Sequence, residues 1–265
     1  GVLPPGDVRD CLVALADTEP LMEQLFRYRF PPGTTLSGHS FGNLFLASMC
    51  AVAGDLNKAI KATSRILKVR GQVLPSTLVD TNLVAQYADG TEAKGETKIA
   101  CSKMPIQRLS LEPSDCPPVP ETLVAIREAD LIILGPGSLY TSVLPNVLVT
   151  GIPTALATSG AVKVYVVNVM TEPGETDGYT AADHVRALIN HGGPAIVDWV
   201  LVNTRFPTGG TLMRYREEGA WPTALDQREL QTLGLKVKEA PLLSINDMAR
   251  HEPDKLAQAV LSLVI

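Results

Sequence analysis

No run of five or more lysines and arginines occurs anywhere in these 265 residues, and the formal net charge is -5. A phosphate backbone would therefore meet no basic stripe, which sets DNA and RNA aside as partners. The four cysteines, Cys11, Cys50, Cys101 and Cys116, never fall into a CxxC pair. That argues against a zinc site and against a disulfide framework, and predicts reduced thiols in a cytoplasmic protein. The longest apolar stretch, Val147 to Val169, is interrupted by Gly151, Pro153, Ser159, Gly160 and Lys163, so a short helix and a strand are expected there rather than a membrane span. A signal peptide is absent and the first residue is Gly1 rather than methionine, from which part of the natural amino end is expected to lie upstream. Ser-His-Asp order, HExxH and paired-acid spacing are also missing, so the residues alone declare no reaction.

What is present suits a folded protein. Hydrophobic residues make up 45% of the chain, and at this length roughly 70–75% of the unfolded surface leaves water on folding. Helical signals fill the first seventy residues. Asp7 caps a helix through about Asp17, Glu19-Pro20 opens a second through about Tyr28, and Ser40 precedes an apolar run, Phe41 to Ala53, ended by Gly54. Asp55 caps a fourth, expected to end near Arg70-Gly71. The period then changes. Leu78 to Tyr87 and Thr91 to Ile99 flank Asp89-Gly90, which predicts a type I′ hairpin, and Ile106 to Leu111 adds a third strand.

From Glu121 helix and strand alternate. The helices Glu121 to Ala129, Pro153 to Ser159 and Thr180 to His191 separate the strands Leu131 to Leu134, Val164 to Val167 and Ile196 to Val202. Strands apolar on both faces predict an α/β fold with a mainly parallel sheet, helices on both faces and a small antiparallel excursion over about residues 78–112. One domain is expected to span residues 1–265, with a less regular region from Phe206 to Arg250. In such sheets ligands bind at the carboxyl ends of the strands.

Two loops leave those ends. In Gly135-Pro136-Gly137-Ser138-Leu139-Tyr140-Thr141-Ser142 the glycines admit close backbone approach and the hydroxyls can donate, which suits a phosphate; a tight structural turn suits it equally. The Walker lysine is missing, and Tyr140 stands where a dinucleotide fingerprint needs its third glycine. The loop Asn168 to Gly178 carries more carboxylates and hydroxyls than a chain reversal needs, which points to function. In Ser37-Gly38-His39-Ser40-Phe41-Gly42-Asn43, His39 reads as an acid, a base or a phosphate donor, and as readily as a capping residue. Asp7 could meet a divalent ion but caps its helix as well. His184 reads as a packed histidine and His191 as a helix end.

Taken together the loops form a set. Pro4-Pro5-Gly6-Asp7-Val8-Arg9, Gly38-His39-Ser40-Phe41-Gly42-Asn43-Leu44, Arg70-Gly71-Gln72-Val73-Leu74-Pro75-Ser76-Thr77, Gly135 to Ser142 and Asn168 to Thr176 occur in this order along nearly the whole chain. The set resembles the YvcK-type gluconeogenesis factors, relatives of the CofD phospholactate transferases. Members usually begin with a strand, a GGGTG loop and a DDGGSSG segment, and this chain starts after them; Asp10 also stands where Asn is frequent.

The resemblance implies a Rossmann-like bacterial cytosolic protein that binds UDP-sugars such as UDP-N-acetylglucosamine and UDP-glucose. It further implies a role in growth on gluconeogenic carbon sources and in cell shape, with no established catalytic activity. The CofD branch offers the alternative, transfer of a phospholactate group from a guanosine diphosphate donor to a deazaflavin alcohol with magnesium, for which Asp7, Glu172 and Glu175 are the carboxylates to test. On the UDP-sugar reading the diphosphate lies against Gly135, Gly137, Ser138 and Thr141, with Tyr140 in the same loop. Asn168, Thr171 and Thr176 surround the ribose or sugar, Tyr215 stands beside uracil and Arg250 beside phosphate. Asp7, His39 and Asn43 complete the candidate set, and a homo-oligomer is compatible with it.

Overall fold

The computed structural model describes residues 6–17, 20–102, 104–244 and 248–264. Pro4 and Pro5 of the first motif and Glu19, the expected start of the second helix, lie outside them. Chain contacts divide the protein into two units, the first ending at Asp80 and the second beginning at Thr81.

In the first unit four helices, Gly6–Ala14, Pro20–Arg27, Phe41–Ala53 and Leu56–Ile66, enclose Leu12, Val13, Phe26, Leu46, Ile60 and Leu67. Their ends follow from local chemistry. Ser40 Oγ accepts from the Asn43 amide at 3.3 Å, and Asp55 Oδ1 from the Lys58 amide at 2.8 Å. Asp7 is not the cap expected of it but lies in the first turn of its helix, where a carboxylate still favours the positive helix end. The fourth helix stops before Gly71. Lys68 adopts a left-handed φ of 48°, with Lys68 N–H donating to Arg65 O and Val69 N–H to Ser64 O. A Schellman end normally made by glycine is thus made by lysine, which sequence signals cannot anticipate.

The second unit holds both sheets. β1 (Asn82–Tyr87), β2 (Glu92–Lys94) and β3 (Ile106–Glu112) are antiparallel in the order β2-β1-β3. The expected type I′ turn is replaced. Only Gly90 has positive φ, and Tyr87 bonds to both Gly90 and Thr91, the pattern of a type I turn with a glycine bulge. Asp89 Oδ1 takes up the Thr91 amide at 2.9 Å. β2 also ends early, because Gly95 turns the chain into the helix Glu96–Cys101, which buries Ile99.

β4 (Leu131–Leu134), β5 (Val162–Val166), β6 (Trp199–Asn203) and β7 (Lys236–Ala240) form a parallel sheet in that order. Successive residues of β5 point to opposite faces. Val164 and Val166 join Leu201, Leu242 and the helix Pro253–Leu261 through Ala259 and Val260. Tyr165 faces His184 of the helix Ala181–Gly192, ring centroids 6.4 Å apart. Helices therefore cover both faces, as the apolar strands predicted. Among the described residues no single helix is long and apolar enough to cross a membrane. The region expected to be irregular contains the helices Gly209–Glu217 and Gln227–Thr232 as well as β7.

His191 does more than end its helix. Its Nδ1 meets Ala187 O at 2.6 Å, and its Nε2 accepts from the Leu109 amide of β3 at 2.9 Å. Accepting at Nε2 requires the neutral ring, so Nδ1 carries the proton. Burial depresses the His191 pKa, with Arg108 adding to the effect against the Ala187 carbonyl; burial depresses those of His184 and His251 too. Below the ordinary histidine value of about 6.5 the unfolded chain binds more protons than the folded one, so this stability is complete above that pH and is lost as pH falls below it. Urea midpoints measured at pH 7.5 and 5.5 are expected to drop, and His191→Gln to reduce the drop. An unchanged difference in the variant would remove His191 from the account.

Candidate functional site

A cleft of about 610 Å³ opens where β4 and β5 end. Its walls come from four stretches of chain. The glycine loop gives Pro136 and Gly137, the β5 loop gives Asn168 to Pro173, the helix Gly209–Glu217 gives Tyr215, and the segment before the last helix gives Arg250 and His251. Val169 and Met170 give the cleft an apolar side and pack with Leu243, Tyr215 and Ala249.

The β5 loop is held as a strand-like edge. Thr171 N–H donates to Trp221 O at 2.7 Å, and Trp221 N–H to Thr171 Oγ1 at 2.9 Å. Asn168 Nδ2 donates to Glu172 Oε1 at 3.3 Å, and Ser138 hydrogen-bonds the same carboxylate. Burial raises the Glu172 pKa, the Ser138 hydroxyl offsets part of this, and the Glu175 charge adds to it. Glu175 itself is buried and clamps the glycine loop: Oε2 accepts from the Tyr140 amide at 3.1 Å and Oε1 from Thr141 Oγ1 at 2.7 Å. At Gly135, φ is 81° and an added Cβ would stand 3.2 Å from Val166 O, so the loop packs tightly on β5.

Of the residues chosen from sequence, the fold brings Gly137, Asn168, Thr171, Tyr215 and Arg250 to one cleft, with Gly135 and Ser138 beside Pro136 and Gly137. Tyr215 Oη accepts from the Ala249 amide at 3.1 Å and so anchors the Arg250 segment. Among the described residues no carboxylate pairs with the Arg250 guanidinium. Three choices turn inward instead. Tyr140 is buried with its hydroxyl on Tyr179 at 2.8 Å, Thr141 serves Glu175, and Thr176, fully buried, accepts from the Glu172 amide at 2.8 Å. These side chains brace the loops, Tyr140 through a ring, Thr141 through a carboxylate and Thr176 through a backbone amide.

Asp7, His39 and Asn43 belong to the first unit. His39 is exposed and its backbone closes a turn with Leu36 and Phe30, while Asn43 Oδ1 and Ser40 Oγ both accept from Arg9 Nη1. Among the described residues no group of three or more His, Cys, Asp or Glu is placed to hold a metal ion. His251 escaped sequence reasoning. It donates to the Val167 carbonyl, and its Nε2 is buried without a partner among the described residues beside the cleft. The signal lay only in its place next to Arg250.

The architecture defines an α/β protein whose parallel sheet carries a large polar-rimmed cleft over the carboxyl ends of its strands. A family model described as 2-phospho-L-lactate transferase CofD matches residues 1–243, and the chain belongs to the CofD family. Gluconeogenesis factors of Halalkalibacterium halodurans and Bacillus subtilis are 47% and 46% identical to it over 97% and 98% of its length, covering 80% and 83% of theirs. A relative from Nostoc sp. is 48% identical over 98% of this chain, which spans only 58% of that protein. A crystal structure of a UPF0052 family member from Bacillus halodurans superposes with a TM-score of 0.93 at 47% identity, covering 97% of this chain and 83% of that one.

Proposed function

We propose that this chain is the ligand-binding part of a gluconeogenesis factor that binds a UDP-sugar, UDP-N-acetylglucosamine or UDP-glucose, without turning it over. Through that ligand it would regulate growth on gluconeogenic carbon sources and cell shape. The observation that carries the reading is the cleft itself: its volume lies within the range of small-molecule sites, and its one arginine is free of any carboxylate among the described residues. The wall hydroxyls of Thr171 and Tyr215 take hydrogen bonds from backbone amides, which fixes walls rather than activating a nucleophile.

Calorimetry with UDP-N-acetylglucosamine tests this. Arg250→Ala should weaken binding about tenfold or more, the loss typical of a charge-assisted hydrogen bond to phosphate. No heat from either UDP-sugar at millimolar concentration would count against the reading. Product formed from a guanosine diphosphate donor and a deazaflavin alcohol with magnesium would replace it with the transferase chemistry for which the family model is described.

A further inference from the structure

A second cavity of about 210 Å³ lies beyond the carboxyl end of β6, lined by Arg205, Phe206, Thr208, Thr211, Ser244 and Met248. It adjoins the larger cleft through Ala249, which lines both. Its position is built rather than accidental. Asn203, buried at the end of β6, donates from Nδ2 to Arg205 O and accepts at Oδ1 from the Arg205 and Leu242 amides at 3.2 and 2.9 Å. Thr204 N–H meets Ala240 O at 2.9 Å. The segment bearing Arg205 and Phe206 is thereby fixed to the ends of β6 and β7.

The lining combines two chemistries. Phe206 and Met248 are 37% and 44% exposed, apolar surface left in contact with water. Around them stand three hydroxyls and the Arg205 guanidinium, which no carboxylate pairs among the described residues. A planar heteroaromatic ring with carbonyls and an N–H on its rim matches both, its face on Phe206 and its rim on the hydroxyls and guanidinium. The space holds one such ring but not a nucleotide sugar.

The glycine loop is charged the other way. Ser138, the Tyr140 amide and Thr141 already serve the carboxylates of Glu172 and Glu175. A diphosphate there would face two acids, whereas sugar hydroxyls can donate to Glu172. We infer that the cavity of Arg205 and Phe206 receives the pyrimidine base, that Arg250, in the larger cleft next to the shared Ala249, meets the diphosphate, and that the glycine loop with Glu172 and Asn168 faces the sugar. This orientation rests on the UDP-sugar reading and reverses the placement of the diphosphate expected from sequence.

Calorimetry on the full chain with UDP-N-acetylglucosamine, UDP and N-acetylglucosamine 1-phosphate separates the parts. Phe206→Ala should lower affinity for UDP and UDP-N-acetylglucosamine about tenfold and leave the sugar phosphate unchanged, since stacking on an aromatic ring accounts for losses of that order. Glu172→Gln should weaken the two sugar ligands and spare UDP. Thr211→Val, a smaller change on the same wall, repeats the first test should Phe206→Ala lose its cooperative unfolding transition. Wild-type affinity for UDP in both Phe206→Ala and Thr211→Val overturns the base pocket while leaving UDP-sugar binding intact. A wild-type chain that binds neither UDP nor UDP-N-acetylglucosamine overturns the function itself and this orientation with it.

Discussion

Gly174→Ala is expected to destabilise the protein by about 2–5 kcal/mol. Gly174 has φ +87°, and a Cβ there would stand 2.5 Å from Ser102 O and 2.7 Å from Ala100 O. Both contacts are backbone carbonyls at the end of the helix Glu96–Cys101, so no flexible side chain can move aside. Left-handed strain costs a non-glycine residue about 1–2 kcal/mol, and overpacking typically about 1–3. For a chain of this size the sum corresponds to a fall of roughly 4–20 °C in melting temperature. Gly178→Ala separates the two causes. Its φ is +71° but nothing lies within 4 Å of the added Cβ, so strain alone, about 1–2 kcal/mol, should appear. Equal melting temperatures for the two variants would show that the close approach carries no energy. The approach matters to the site, because Gly174 lies in the loop between Glu172 and Glu175.

Three of the four parallel strands were legible because each is an apolar run framed by helices. β7 was not: Lys236-Val237-Lys238-Glu239-Ala240 is an edge strand, and charged residues on an edge hide it from a search for buried runs. The helix Glu96–Cys101 was read as strand since alternation in Thr91 to Ile99 outweighed Gly95, whose positive φ breaks it. The same limit holds at the cleft. Asn168, Thr171, Tyr215 and Arg250 were found from motifs in widely separated segments, and the fold does join them. For Thr141 and Thr176 the partners were not legible, because a hydroxyl that serves a ligand and one that serves Glu175 or the Glu172 amide look alike in sequence; the partner of Thr141 lies 34 residues away. His251 and the Arg205 cavity depend on strand ends meeting a distant segment, information that no local pattern holds.

Glu175→Ala should cost about 3 kcal/mol, and the loss should be felt in the glycine loop rather than spread through the fold. The buried carboxylate is the acceptor for the Tyr140 amide and for Thr141 Oγ1. Removing it leaves both donors inside the protein, each at a penalty of about 1–3 kcal/mol. Glu175→Gln keeps one carbonyl but turns an amide N–H₂ toward the other donor, so an intermediate loss is expected. A double-mutant cycle with Thr141→Val assigns the energy. Once Glu175 is gone the threonine hydroxyl has nothing to reach, so Thr141→Val should cost less in that background than in the wild type, by about 1–2 kcal/mol in chemical denaturation. Additive losses would mean that the Thr141 hydroxyl draws no stability from Glu175, leaving the Tyr140 amide as the carboxylate's partner in the loop. The loop would then be held in place by the Tyr140 amide on Glu175 Oε2 and by its contact with β5 at Gly135.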